Sequence, residues 1–191
     1  MYKKREATLW TITRKGQGGL VVLKLMDGDL VIPFFASLDE VQSIVKGYDV
    51  PVFNRLGMHD LLLELVQQMG LALLRVELYA IKDNILHTKL FFSRKVPEKE
   101  GAEHIFFSVQ GRPADAVALA VRSKCPLYVS QGVIEQVGVP VGYFTEGIER
   151  CDEEWLDIPR LIREPDYTGS ETPVRRDILV VLGAKQGEQV P

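Results

Sequence analysis

Two long alternating stretches, "LALLRVELYAI" and "ILHTKLFFS", are separated only by "KDN". Alternation of period two marks a strand with one face on a core. Leu74, Val76, Leu78 and Ala80 share one face of the first stretch, and Arg75, Glu77 and Tyr79 share the other. On the second, Leu86, Thr88, Leu90 and Phe92 lie opposite His87 and Lys89. A connection this short predicts an antiparallel hairpin, because a parallel pair needs a long crossover.

The rest of the chain supplies strands and helices around that hairpin. "EATLWTIT", "GLVVLKLM" and "DLVIPFF" read as strands divided by the turn segments "RKGQGG" and "DG". "SLDEVQSIVKGY" opens with Ser37 and Glu40 at capping-box spacing and predicts a helix. In "HDLLLELVQQM", Leu62, Leu65, Val66 and Met69 repeat at helical spacing, opposite Asp60, Glu64, Gln67 and Gln68. The charged "RKVPEKEGAE" predicts a loop and "HIFFSV" a strand. "GRPADAVALAVRSKCPLYVS" gives a helix with Pro113 in its first turn. That helix is apolar nearly all round, apart from Asp115, Arg122 and Lys124, and so belongs against the sheet. "PLYVS" then reads as a last short strand, and "SQGVIEQVG" as a short helix capped by Ser130. Strands that occur both in hairpins and singly between helices predict an α+β fold, a mixed and largely antiparallel sheet packed with about three to four helices.

A chain of 191 residues is long enough for one domain with a proper core. The pattern supports a core over residues 1–140 and an acidic C-terminal extension over 141–191, which ends in the apolar "DILVVLG". Such a stretch has to pack on the core or on a second subunit, so a homo-oligomer is expected. Residues 1–145 carry 17 Lys and Arg against 15 Asp and Glu, and residues 146–191 carry 6 against 11, which sums to the net charge of −3. Neither part is basic enough to coat nucleic acid on charge alone. The N-terminal "MYKKREATLW" lacks the apolar run of a secretory signal. No apolar stretch approaches the length of a membrane span. Cys125 and Cys151 show neither metal-ligand nor disulfide-framework spacing. The expectation is a cytoplasmic protein that does not enter a membrane.

Phosphate-cradling glycine loops, H-E-x-x-H, paired C-x-x-C and G-x-S-x-G are all missing. What remains is a set of charged groups at predicted helix starts: Glu40, Arg55, His59, Asp60, Arg112 and Asp115. Carboxylates there are stabilised by the helix dipole and by unpaired amides, which is a sufficient structural reason for Glu40, Asp60 and Asp115. His59 falls on the apolar flank of its helix with Leu62, Leu63 and Val66, where a histidine is either a hydrogen-bonded core residue or a general acid or base. Arg55 and Arg112 could each lock a neighbouring carboxylate or clamp a phosphate.

The order "VIPFFASLDE", "FNRLGMHDLLLEL", "YAIKDNILHTKLFF", "GRPADAVALAVRSKCPLYVS" resembles the bifunctional nuclease domain family over roughly residues 7–137. Its sharpest pieces are His-Asp-Leu-Leu at 59–62 and Arg-Pro-x-Asp-Ala at 112–116. The resemblance implies phosphodiester hydrolysis, with single-stranded DNA or RNA as partner. It implies that Arg55 and Arg112 hold the phosphate and that His59, Asp60 and Asp115 carry the catalysis. Glu40, Asp60 and Asp115 would be the candidates to hold a divalent ion, Mg²⁺ or Mn²⁺. The chain departs from the family pattern at Asn54, Leu56, Gly57 and Met58, where the family has Pro-Arg-Pro-x-Thr around its arginine. It departs again at Gln110, Gly111 and Ala114, and at Phe35 in place of a tryptophan. Losing a carboxylate and two hydroxyls weakens the case for a metal, because Mg²⁺ takes oxygen ligands. The competing expectation is a non-catalytic binding or regulatory module in which the arginine–carboxylate pairs are structural.

Overall fold

The computed structural model describes residues 3–15, 18–48, 57–98, 101–142 and 155–157. Strands β1 (Lys4–Lys15), β2 (Gly18–Leu25) and β3 (Leu30–Ser37) form an antiparallel meander, followed by helices α1 (Leu38–Lys46) and α2 (Met58–Gln68). A second meander, β4 (Leu71–Lys82), β5 (Ile85–Glu98) and β6 (Gly101–Gly111), leads into helix α3 (Pro113–Ser123). Strand β7 (Leu127–Ser130), helix α4 (Gln131–Val137), the short β8 (Val139–Pro140) and β9 (Trp155–Asp157) complete the described chain. All strands join one sheet in the order β6-β5-β4-β7-β1-β2-β3-β8, with β9 paired to β1. β7 lies between the two meanders, parallel to β4 and antiparallel to β1, and the other pairs are antiparallel. The fold is α+β with a mixed, mostly antiparallel sheet.

The β4–β5 hairpin turns through two residues rather than three. Asp83 and Asn84 take φ of 51° and 60°, the left-handed pair that a tight hairpin favours, and Lys82 ends β4. Strict alternation along β4 is interrupted twice. Register shifts between Leu73 and Arg75 and between Leu78 and Ala80 each insert one residue. Val76 and Leu78 are fully buried as expected, but Leu73 and Ile81 pack on the core where Leu74 and Ala80 were expected to. On β5 the expected set holds: Thr88, Leu90 and Phe92 are buried and Leu86 packs beside them. Within the expected loop "RKVPEKEGAE", residues 94–98 and 101–103 are instead strand, with pairing that continues from Arg94↔Ile105 to Glu98↔Gly101, and residues 99–100 lie outside the described residues. Tight pairing at the far end satisfies backbone groups that a ten-residue loop would leave to water.

Helices α1 and α3 start and pack as their sequences dictate. Ser37 Oγ accepts the Glu40 amide while Glu40 Oε2 accepts the Ser37 amide at 2.8 Å, a complete capping box on α1. Pro113 sits in the first turn of α3, whose Ala114, Ala116, Val117, Ala118, Leu119 and Ala120 are all buried. Small residues let α3 lie close against α1 and the strands beneath it.

α2 differs from the sequence expectation. Leu62, Leu65 and Met69 face outward, at 44%, 53% and 64% exposure, and only Val66 of the expected stripe packs inward, beside Leu63. Polar anchors in its first turn set the rotation: Asp60 is held by Arg122, and His59 by Asp115, so residues 59, 63 and 66 turn inward.

Part of the C-terminal extension reaches the core, since Thr11–Thr13 of β1 pair with β9. "DILVVLG" lies outside the described residues, and so does Arg55. No helix among the described residues is long and apolar enough to cross a membrane.

Candidate functional site

A cleft of about 630 Å³ opens between α2 and the β5–β6 hairpin, floored by the start of α3. Its walls are apolar: Leu62 and Val66 from α2, Leu71 from β4, and Leu90, Phe92, Phe107 and Val109 from the hairpin. Phe92 and Phe107 stack with ring centroids 5.5 Å apart. Polar groups gather at one end, where three helices begin.

His59, second residue of α2, is 15% exposed and points its Nε2 at Asp115 Oδ1, 3.1 Å away. An ionised Asp115 can only accept, so in the neutral ring the hydrogen sits on Nε2 and Nδ1 is left as the acceptor. The other Asp115 oxygen accepts from Arg112 Nε at 2.7 Å. Arg112, the residue before α3, is 70% exposed and also places Nη1 3.1 Å from Glu40 Oε1. Glu40 closes the series through its capping box with Ser37. A continuous line of contacts, His59–Asp115–Arg112–Glu40–Ser37, thus ties together the starts of α2, α3 and α1. The hydrogen bond that Arg112 donates to Asp115, with the charges of Asp115 and Glu40 behind it, raises the Arg112 pKa above its ordinary value.

Asp60 belongs to a different contact. Its Oδ2 accepts the Gly57 amide at 2.8 Å and its Oδ1 accepts from Arg122 Nε at 2.7 Å, and it does not line the cleft. Burial pushes its carboxyl up, but the Gly57 amide and the Arg122 guanidinium outweigh that and hold it below the ordinary carboxylate range. Arg122 is 6% exposed and donates Nη1 to the carbonyls of Ser43 (2.7 Å) and Ala118 (3.0 Å), while its buried Nη2 has no partner among the described residues. The sequence marks Arg122 only as a cation near a helix end. The available signal was its place in a helix otherwise apolar nearly all round, where a cation needs a carboxylate from another element.

Of the six charged groups at predicted helix starts, Glu40, His59, Arg112 and Asp115 come together, Asp60 turns away, and Arg55 falls outside the described residues. The carboxylates do not fit a divalent ion. Glu40 and Asp115 are held by Arg112, Asp60 is held by Arg122, and among the described residues no three His, Cys, Asp or Glu side chains cluster as ligands. Cys125 offers no alternative nucleophile, since burial pushes its thiol pKa up.

The model of the bifunctional nuclease domain matches residues 21–142, which run from β2 past β8 and include the whole polar end of the cleft. The chain belongs to the bifunctional nuclease domain family. It is 27% identical over 123 residues to an uncharacterized protein of Mycobacterium tuberculosis, covering 63% of this chain and 66% of that one. It is 25% identical over 169 residues to the protein named bifunctional nuclease 1 of Oryza sativa subsp. japonica, and to the bifunctional nuclease of Oryza minuta, covering 84% of this chain and 48% of each. The chain therefore spans about two thirds of the length of the mycobacterial relative and about half that of the rice proteins.

Proposed function

We propose that the cleft hydrolyses phosphodiester bonds in RNA or single-stranded DNA, with His59 moving the proton and Arg112 holding the phosphate. One observation carries this reading: a histidine fixed by a carboxylate stands beside an exposed arginine at the polar end of an apolar-walled cleft. Asp115 orients the His59 ring and leaves Nδ1 to take a proton from the attacking water or hydroxyl. Arg112 offsets the charge that develops on the phosphate oxygens. Asp60 takes no part in the chemistry, and no step depends on a metal.

The test compares wild type, His59→Ala and Arg112→Ala on labelled single-stranded DNA and RNA, with Mg²⁺, Mn²⁺ or chelator. Activity that withstands chelator and falls by about 10²-fold or more in both folded variants is the expected result. A wild type without activity, or variants that cut as well as wild type, would end the proposal. A second reading rests on a specific feature of the same site. Arg112 and the nearby Arg122 both end on carboxylates, as in a module whose charges lock helices and whose cleft binds without reaction. Under it, Arg112→Ala lowers stability and leaves no hydrolysis to lose.

A further inference from the structure

Two elements that flank the cleft also carry an exposed apolar surface. Met58, Leu61, Leu62, Leu65 and Met69 form one stripe along α2, each at least 44% exposed. Ile105, Phe107 and Val109 share one face of β6 at 50%, 39% and 49% exposure. Met58, Leu62, Phe107 and Val109 all line the cleft, so the two sets belong to one continuous surface. At on the order of 100 Å² for each half-exposed large side chain, they present about 800 Å² per copy, what a standard interface takes from each partner. A monomer's largest apolar patch is typically about 300–600 Å².

β6 is also the outer strand of the sheet, and among the described residues only β5 pairs with it. Edge strands are ordinarily blunted by charge, proline or a bulge. "IFFSVQG", residues 105–111, has neither charge nor proline, and its register with β5 runs from Thr88↔Gly111 to Glu98↔Gly101 without a shift.

The geometry points to this face as the docking site of a second copy of the chain, β6 against β6 in antiparallel pairing about a two-fold axis near Phe107. On the Phe107 face the strand is apolar to either side of that point, with Ile105 and Val109 each two residues away. A two-fold axis there sets Ile105 opposite Val109 of the partner subunit and brings the two Phe107 rings face to face, apolar against apolar. The α2 stripes complete the contact. Neither surface brings like charges together, because Asp60 and Glu64 lie off the α2 stripe. The pairing sets the partner's strand beside the mouth of the cleft. It stands whether or not the cleft is a nuclease.

Light scattering on the full chain tests this, with Ile105→Lys and Leu65→Glu as variants. Both positions are exposed in the single copy, so circular dichroism should show both variants folded. The expected result is a wild-type particle of twice the chain mass and variants of chain mass. A wild type that stays at chain mass up to its solubility limit overturns the proposal, including the case in which another segment of the same chain covers the face. So does a dimer that both variants leave intact. An independent check is the pair Ile105→Cys plus Val109→Cys in one chain. On mild oxidation it should form a cross-linked dimer that neither single variant forms, and failure to cross-link would refute the register.

Discussion

Asp60→Ala would strand a guanidinium. Arg122 is 6% exposed, and Asp60 supplies its one carboxylate contact among the described residues. A hydrogen bond to a charged group contributes about 1.5–3 kcal/mol, and the lost acceptor for the Gly57 amide costs about 0.5–1 kcal/mol more. Asp60 is 30% exposed, so part of its ion pair is already shared with water and the net loss should be about 2–3 kcal/mol. For a chain of this size that is a fall of about 5–10 °C in Tm. Arg122→Met should cost less. It keeps the packed stem, lets Asp60 hydrate, and removes an Nη2 already buried without a partner, a group whose desolvation costs about 1–3 kcal/mol. Urea melts of the two singles and the double give the cycle, with an expected coupling of about 1–2 kcal/mol. The native carboxyl lies below its unfolded pKa of about 3.9. Its contribution is therefore full above that pH and lost as pH falls through the native value, so the cost of Asp60→Ala should be steady from about pH 5 to 7 and shrink below about pH 4. Additive singles, or an Arg122→Met that costs more than Asp60→Ala, would refute the reasoning.

Ser37→Ala breaks the capping box that also steadies Glu40 beside Arg112 and should cost about 1 kcal/mol in chemical denaturation, where an unchanged midpoint would count against the cap. Ala116→Leu adds three carbons at a fully buried position of α3 and should cost about 1–3 kcal/mol by thermal melt. Gly18→Ala would put its Cβ 2.5 Å from the Ala36 carbonyl oxygen and should speed amide exchange across β2–β3, whereas Gly132→Ala meets nothing within 4 Å and should stabilise α4 by about 0.5–1 kcal/mol. Equal effects of the two glycine changes would refute that contrast.

Where one physical signal dominates, the sequence is easily read. The S-x-x-E spacing and the alanine-rich α3 each leave a single arrangement, and both are present, as is the antiparallel pairing that the short β4–β5 connection requires. Where two signals compete, the loser is hidden. The apolar stripe of α2 reads as core by periodicity, yet His59 and Asp60 in its first turn fix the rotation through Asp115 and Arg122, residues more than fifty positions away. The inserted residues at Leu74 and Tyr79 cannot be seen in a period-two pattern, because a bulge leaves composition unchanged. The four groups at the cleft were identifiable because each opens a helix. Their contact order, with Asp115 between His59 and Arg112, required the packing of α2 on α3.

The placing of β7 has a consequence for the timing of synthesis. Its four residues join the β1–β2–β3 meander to the β4–β5–β6 meander, and they come after both. A growing chain that has passed Gly111 but not Ser130 holds two small sheets with open edges at β1 and β4. At about 5–20 residues per second that gap lasts on the order of seconds. Residues 127–130 cover Lys4–Ala7 of β1 and Val76–Leu78 of β4 in one step, while Thr11–Thr13 of β1 wait for β9, so a chain held after Gly111 has emerged keeps both edges open to other chains.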